Sequence, residues 1–212
     1  MGTYVGRVVA VGRTTDDRVA VMYRVSSRSF PNREARLHDG AVAIVPRAGS
    51  ESDIFRNPYI AYNCLRVVGD YAIVGNGSHT DPVAEKIAQG ASVRDAMALA
   101  LLTLDFEKDQ YGTPRIAAAV RRGEGCGVLG VVRSDGIEVV RVALERGECA
   151  FVATYGMNRI SADSKCSFDA RTPADGAAFI LGKGTFAEMT HPVVSACALE
   201  CEDGFQIAVS QP

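Results

Sequence analysis

Tryptophan is absent from this 212-residue chain, histidine occurs three times, and neither sign of charge is in excess, with 23 Lys and Arg against 25 Asp and Glu. Balanced charge creates no global field that draws a protein to nucleic acid or to an acidic membrane, so neither partner is expected, and any anion must be met by a local cluster. Long hydrophobic runs are also missing. The longest apolar helical stretch, residues 96–104, is closed by Asp95 and Asp105, well short of the roughly 20 residues that a bilayer span needs. The first residues carry no basic region followed by an apolar stretch, so the expectation is a cytoplasmic chain without a secretory signal.

The six cysteines (Cys64, Cys126, Cys149, Cys166, Cys197, Cys201) form no CxxC pair. A core of this size needs no disulfide staples, and the thiols are expected to be reduced and mostly buried. With so few histidines and no second cysteine pair, neither a protein-built metal site nor any other cofactor is expected. There is no repeat of about 20 to 50 residues and no linker rich in Pro, Gly or Ser. At 47% apolar residues, residues 1–212 read as one domain around a full core.

What is present reads first as a sheet. Residues 4–11 and 19–25 alternate across a turn at 14–17 and predict an antiparallel hairpin, with further strands at 41–45, 62–68 and 71–75. Two helices follow. One is expected over 82–89, with Asp81 as cap and Pro82 at its first position; the other over 93–106, with Ser92 and Asp95 as a capping box. The second is apolar on almost every side and is expected to be covered on most of them. Strands return at 116–120, 127–132, 137–142 and 150–154, and a third helix fits 173–181 between Thr172 and Gly182. Strands, helices, strands and a helix in that order predict a layered α+β protein with largely antiparallel sheets.

Four segments concentrate polar chemistry at the edges of these elements. Residues 23–36 hold four arginines against one acid; guanidinium forks with serine hydroxyls suit a phosphomonoester, although a solvated basic turn has the same composition. Residues 55–64 mix rings with amides, a set able to stack on a planar base and read its polar edge, with Asn57, Tyr59 and Asn63 as candidates. Residues 75–81 join a strand to a helix start, where free N–H groups and the helix dipole favour anions and His79 stands as a proton carrier or a structural residue. Residues 105–115 place three acids, Lys108 and Arg115 after the apolar helix, and such groups shift one another's pKa.

Taken together, the strings YVGR (4–7), YRVSSRSFPNR (23–33), FRNPYIAYNC (55–64), NGSHTD (76–81) and TPRIAA (113–118) resemble the archaeal-type IMP cyclohydrolases. The resemblance covers most of residues 4–120, leaves 151–167 outside it, and has a weaker echo at His191 and Pro192. It implies a four-layer αββα sandwich of mainly antiparallel sheets, similar to the N-terminal nucleophile hydrolases. Removal of Met1 would expose Gly2, which has no nucleophilic side chain, so that chemistry is not expected here. The implied substrate is FAICAR, a ribosyl monophosphate carrying a formamido group beside a carboxamide, which closes to IMP with loss of water in the last step of de novo purine synthesis. The roles implied within these motifs are phosphate binding by Arg28 and Arg33, stacking or hydrogen bonding by Tyr59, and orientation of the carboxamide by Asn57 and Asn76, with Asn63 and Arg115 also at the ligand. Proton transfer falls to Glu107, and stabilisation of the departing oxygen to Lys108 or His79. A homo-oligomer is expected from the resemblance. Two other classes fit the same residues: an amidohydrolase with Cys64 or Thr3 as nucleophile, and a nucleotide-binding module without catalysis.

Overall fold

The computed structural model describes residues 2–162 and 164–212. The expected hairpin forms from β1 (Val8–Arg13) and β2 (Val19–Ser26), antiparallel from Val8 opposite Arg24 to Arg13 opposite Val19. β3 (Arg33–His38) and β4 (Ala41–Pro46) make a second hairpin, so part of the arginine-rich segment is strand rather than loop. A four-residue helix α1 (Asp53–Arg56) and a 3-10 turn (Pro58–Ile60) lead into β5 (Tyr62–Val68) and β6 (Tyr71–Gly75). The chain continues with α2 (Thr80–Ala88), α3 (Val93–Leu104), β7 (Arg115–Arg121), β8 (Cys126–Arg133), β9 (Gly136–Ala143) and β10 (Glu148–Ala153). It closes with β11 (Lys165–Ser167), α4 (Pro173–Gly182), β12 (Pro192–Cys201) and β13 (Gly204–Ser210); β11 and the final hairpin have no counterpart in the strand expectations.

Every pairing within the sheets is antiparallel: one sheet runs β11-β10-β1-β2-β12-β13, the other β3-β4-β5-β6-β7-β8-β9. Strand alternation divides the apolar residues into three layers. Val9, Val11, Val21 and Tyr23 of the first sheet meet Ile44, Cys64, Val74, Ile116 and Leu129 of the second in a core between the sheets. The other face of the first sheet packs Ala10, Met22 and Phe151 against Ala177 and Ile180 of α4. The other face of the second packs Ile73, Ala117 and Ala119 against Val83, Ala84, Met97 and Leu101 of α2 and α3. Helix, sheet, sheet and helix are thus stacked in that order, because each sheet buries both faces and each helix only one.

Two local expectations are corrected. Helix α2 begins at Thr80 after His79, and Asp81 lies inside its first turn rather than capping it, with its carboxylate taken by Asn63 and Arg66 of β5. Helix α3 ends at Leu104, where Asp105 turns out with φ 54°. Its burial is one-sided: Ala96, Met97, Ala100 and Leu101 face the sheet, while Leu99 and Leu102 remain 51% and 69% exposed. A single-sided contact covers one stripe of a helix whatever the opposite stripe contains. Thr172 caps α4 as expected, in a full capping box with Asp175. Ser92 caps α3 by accepting from the Asp95 amide, but the expected box is not completed, because the Asp95 carboxylate accepts from the Ser92 hydroxyl instead of its amide.

Candidate functional site

The ends of several strands converge at one end of the sandwich, and their inward parity decides which polar residues meet. Arg7 precedes β1 in phase with Val9 and Val11 and therefore enters the space between the sheets. Tyr23 of β2, Arg33 at the start of β3 and Tyr62 at the start of β5 follow the same rule and are all buried. The Tyr23 and Tyr62 hydroxyls share a hydrogen bond of 2.5 Å, with rings edge to face at 6.4 Å. Burial holds both phenols above their usual range.

Gly6 makes the approach of Arg7 possible. Its φ is 72°, and a Cβ there would lie 2.1 Å from Thr154 Oγ1 and 2.8 Å from the Tyr155 ring, so only glycine fits. The Arg7 amide then donates to Thr154 Oγ1 at 3.1 Å, and its guanidinium donates to Glu107 Oε2 at 2.8 Å. Glu107 sits in the turn after α3 and is 1% exposed, anchored by its amide to the Thr113 carbonyl at 2.8 Å. Asp109 shapes that turn by accepting from the Thr113 amide and hydroxyl at 2.9 and 2.7 Å. Because the Thr113 hydroxyl has one proton, the Tyr155 hydroxyl donates to it at 2.8 Å.

Burial pushes the Glu107 carboxyl above the usual carboxylate range, while Arg7 and Arg115 pull against that shift. Arg115 opens β7, is 5% exposed, and lies over the Tyr59 ring at 5.5 Å. Burial lowers the Arg115 pKa and Glu107 opposes that shift. Its Nη1 runs so close to the chain at Gly77 that a Cβ there would lie 2.4 Å away. His79 is fully buried, and its Nε2 faces the Ile116 carbonyl at 2.9 Å. That nitrogen must carry the proton, which leaves Nδ1 as an acceptor. Burial first and Arg115 second lower the His79 pKa to about 3, so the ring is neutral and holds no proton on Nδ1 to give to a leaving oxygen.

The sequence expectations separate at this point. Glu107, Arg115, Arg33, Tyr59 and His79 are brought together. Asn57 accepts from the Tyr59 amide at 2.8 Å and so positions that ring. Both ends of the Asn76 amide are occupied by main chain: Nδ2 donates to Pro114 O at 2.9 Å and Oδ1 accepts from Ile116 N at 2.7 Å. Asn76 therefore holds the start of β7, and with it Arg115, rather than a ligand amide. Asn63 has the opposite parity to Tyr62, faces α2, and bonds Asp81 and His38. Lys108 is a surface residue, 59% exposed, paired with Asp105 and lying over Phe106. Exposure and a local partner remove it from the cluster.

The four arginines of residues 23–36 also divide. Arg33 enters the cluster and donates from Nε to Phe30 O at 3.0 Å. Arg28 is exposed over the Tyr4 ring at 4.1 Å. Arg36 pairs with Glu34 at the surface. Arg24 faces the α4 layer, where Ser26 Oγ and the carbonyls of Phe186 and Met189 receive its guanidinium, and burial lowers its pKa to about 10. Tyr4, Arg28, Ser29, Tyr111 and Tyr155 line a cavity of about 350 Å³, and Tyr4 stacks on Tyr155 at 5.8 Å. Arg7, Tyr4, Tyr23, Tyr62 and Tyr155 were not singled out from the sequence. For Arg7 the signal was present: a charged residue in the inward phase of an apolar strand.

Cys64, the nucleophile of the amidohydrolase alternative, lies in the core between the sheets, and burial drives its thiol upward. Such a thiol is inert. Thr3 has its backbone tied to Glu188 and Thr190. Among the described residues, no group of three His, Cys, Asp or Glu side chains is arranged to hold a metal ion.

Among the described residues, the buried side-chain polar atoms without a partner are Arg7 Nε, His79 Nδ1, Glu107 Oε1, and Arg115 Nε and Nη1. All belong to this one cluster. An unpaired buried donor or acceptor costs about 1–3 kcal/mol, and native proteins retain few of them. Tyr155, which lines the cavity, connects it to this cluster through its hydrogen bond to Thr113 in the turn that carries Glu107, and the gathering of unpaired groups makes the cluster the candidate ligand site.

Comparison with known proteins bears on the same residues. A family described as "IMP cyclohydrolase-like protein" matches residues 4–204, so the likeness extends through 151–167 as well. A protein named IMP cyclohydrolase from Methanosphaera stadtmanae is 44% identical over 209 residues, covering 99% of this chain and all of that protein. Relatives of the same name from Methanocaldococcus jannaschii and Methanocella arvoryzae are 42% and 44% identical, each covering 97% of this chain and 98% and 97% of their own length. The chain belongs to the IMP cyclohydrolase-like family.

Proposed function

We propose that this chain is an IMP cyclohydrolase that closes FAICAR to IMP at the Arg7, Glu107 and Arg115 cluster. The observation that carries the reading is the set of unpaired buried atoms, a carboxylate oxygen among guanidinium donors. That is the complement of a planar substrate offering one amide donor and one formyl acceptor. Arg28 and Ser29, exposed at the mouth of the cavity, hold the phosphate, with Arg33 adding positive charge from beneath. Tyr4 and Tyr155 flank the heterocycle, and Tyr59 packs over its carboxamide end.

In the reaction, the carboxamide nitrogen attacks the formyl carbon and a C–N bond forms. Glu107, ionised, accepts the proton that this nitrogen loses and returns it to the former formyl oxygen, which has drawn charge to itself under the N–H groups of Arg115 and Arg7. The C–O bond then breaks, the former formamido N–H proton leaves as the C=N bond forms, and the balance is IMP and one water. Amide nitrogen is a weak nucleophile, so holding the reacting atoms about 3–3.5 Å apart is a large part of the rate. His79, neutral and with no proton on Nδ1, moves no proton in this scheme.

The reading takes the αββα layering as the scaffold of the N-terminal nucleophile hydrolases. It also takes the protein as a cytoplasmic homo-oligomer. The test is to incubate the purified chain with FAICAR and follow IMP by absorbance, with Arg115→Met as comparison. Conversion that depends on Arg115 supports the reading. A folded protein that binds IMP yet converts no FAICAR would sink it in favour of a binding module.

A further inference from the structure

Away from the candidate site, Cys149 of β10 and Cys166 of β11 lie directly opposite each other, with their sulfurs 3.0 Å apart. The Phe151 amide donates to Ser164 O at 2.9 Å and the Phe168 amide to Gly147 O at 2.8 Å. These flanking bonds, two residues to either side, put Cys149 and Cys166 in the hydrogen-bonded phase of the ladder. Residues so paired have Cα atoms about 5.5 Å apart, inside the range of about 4.4–6.8 Å that a disulfide spans. Both side chains point to the α4 layer. Cys149 is buried, and Cys166 is half-buried on a three-residue strand at the sheet edge.

We propose that Cys149 and Cys166 are an oxidisable dithiol, closed to a disulfide by a peroxide and reopened by thiol reductants. The Cys166 sulfur is the attacking atom. It is the more exposed of the two, and its contacts with Cys149 and then Thr185 draw its pKa down against the opposing effect of burial. Its thiolate attacks a peroxide oxygen: the S–O bond forms, the O–O bond breaks, and the released hydroxide takes up a proton as water. The Cys149 sulfur then attacks the sulfenic sulfur; the S–S bond forms, the S–O bond breaks, and hydroxide leaves with the Cys149 proton as a second water. Two thiols are oxidised by two electrons and one hydrogen peroxide is reduced to two waters.

The other cysteines have no such partner. Cys64 and Cys197 are buried with their thiols raised by burial, and Cys126 is engaged by Arg141 and Glu124. The bridge would tie down β11, an edge strand that pairs with β10 at three positions. It would also close a ring containing Tyr155, a wall of the candidate cavity. The dithiol chemistry does not depend on what that cavity binds.

The test treats the full chain with hydrogen peroxide, blocks remaining thiols with iodoacetamide, and digests it with trypsin without reduction. The expected product is peptide 147–159 joined to peptide 166–171, lighter by two hydrogens than the separate pair and split again by dithiothreitol. Cys166 should react at least about tenfold faster than Cys64 or Cys197. In Cys149→Ser the bridge is lost and Cys166 accumulates as a sulfenic acid trapped by dimedone; in Cys166→Ser, Cys149 stays unreacted. If the two peptides stay separate while Cys126 or Cys201 oxidises first, or if a bridge forms between other cysteines, the proposal is overturned.

Discussion

Replacing Glu107 by Gln removes a single charge at nearly constant volume from the centre of the cluster. Glu107 is 1% exposed and lies 2.8 Å from Arg7, with Arg115 also within its field. Glutamine keeps an oxygen for Arg7 but leaves two guanidiniums without a counter-charge. Breaking a fully buried pair costs about 3–5 kcal/mol, but burial raises the Glu107 pKa, so the charge that glutamine removes is one the fold holds at a cost, and glutamine stands in for the protonated carboxyl. The two effects oppose each other and leave about 1 kcal/mol or less. At about 2–4 °C per kcal/mol for a chain of this length, the thermal midpoint should move by no more than about 4 °C, measured by circular dichroism.

The catalytic loss should be larger. Removing a positioned proton carrier costs about 10²–10⁴ in kcat, with KM little changed because the phosphate is held elsewhere. The pH dependence carries the sign. Because burial raises the folded-state pKa of Glu107, the carboxyl stabilises the fold fully below its ordinary value. That contribution is lost as pH rises through the raised value and is constant above it. Ionised Glu107 is the active form, so kcat/KM should rise with pH through the same window, and both features should vanish in Glu107→Gln. Turnover within about twofold of the unsubstituted chain, or an acid limb that survives the substitution, would refute the proton-transfer role.

Three further outcomes follow from the geometry. Asn76→Ala strands the Pro114 carbonyl and the Ile116 amide, two buried groups at about 1–3 kcal/mol each; the melting temperature should drop by about 4–24 °C, and an unchanged one would show that water replaces the side chain. Gly77→Ala puts a methyl 2.4 Å from Arg115 Nη1, so FAICAR turnover should collapse while the far-ultraviolet spectrum is retained, and full activity would mean Arg115 need not stay where it is. Lys108→Ala should leave turnover within about twofold, as expected of an exposed pair worth roughly 0–1 kcal/mol; a fall of tenfold or more would bring Lys108 back to the reacting atoms.

Much of this architecture is legible in the amino-acid order. The hairpin of β1 and β2, the β5 and β6 pair, and the caps at Ser92 and Thr172 are dictated by alternation and by local hydrogen bonding, which need only a few neighbouring residues. The final hairpin was not read, although Pro192–Cys201 is buried almost throughout. A strand covered on both faces loses the alternation that identifies it. The one-sided burial of α3 was equally invisible, because an apolar stripe does not reveal whether anything lies against it.

By itself, the amino-acid order determined the segments that matter and the chemical types in them: arginines at 23–36, the ring-rich stretch at 55–64, and the acidic turn after α3. Only the tertiary structure decided which members of each segment act together. Strand parity sends Arg33 inward and Arg24 to the α4 layer, and Tyr62 inward while Asn63 faces α2. The Asn76 amide goes to the main chain, and Lys108 stays in solvent. Arg7 and Glu107, 100 residues apart, become a buried ion pair. Residue type is a property of the chain, but partnership depends on which strand ends the sandwich brings to one place and on which polar atoms it leaves there without water.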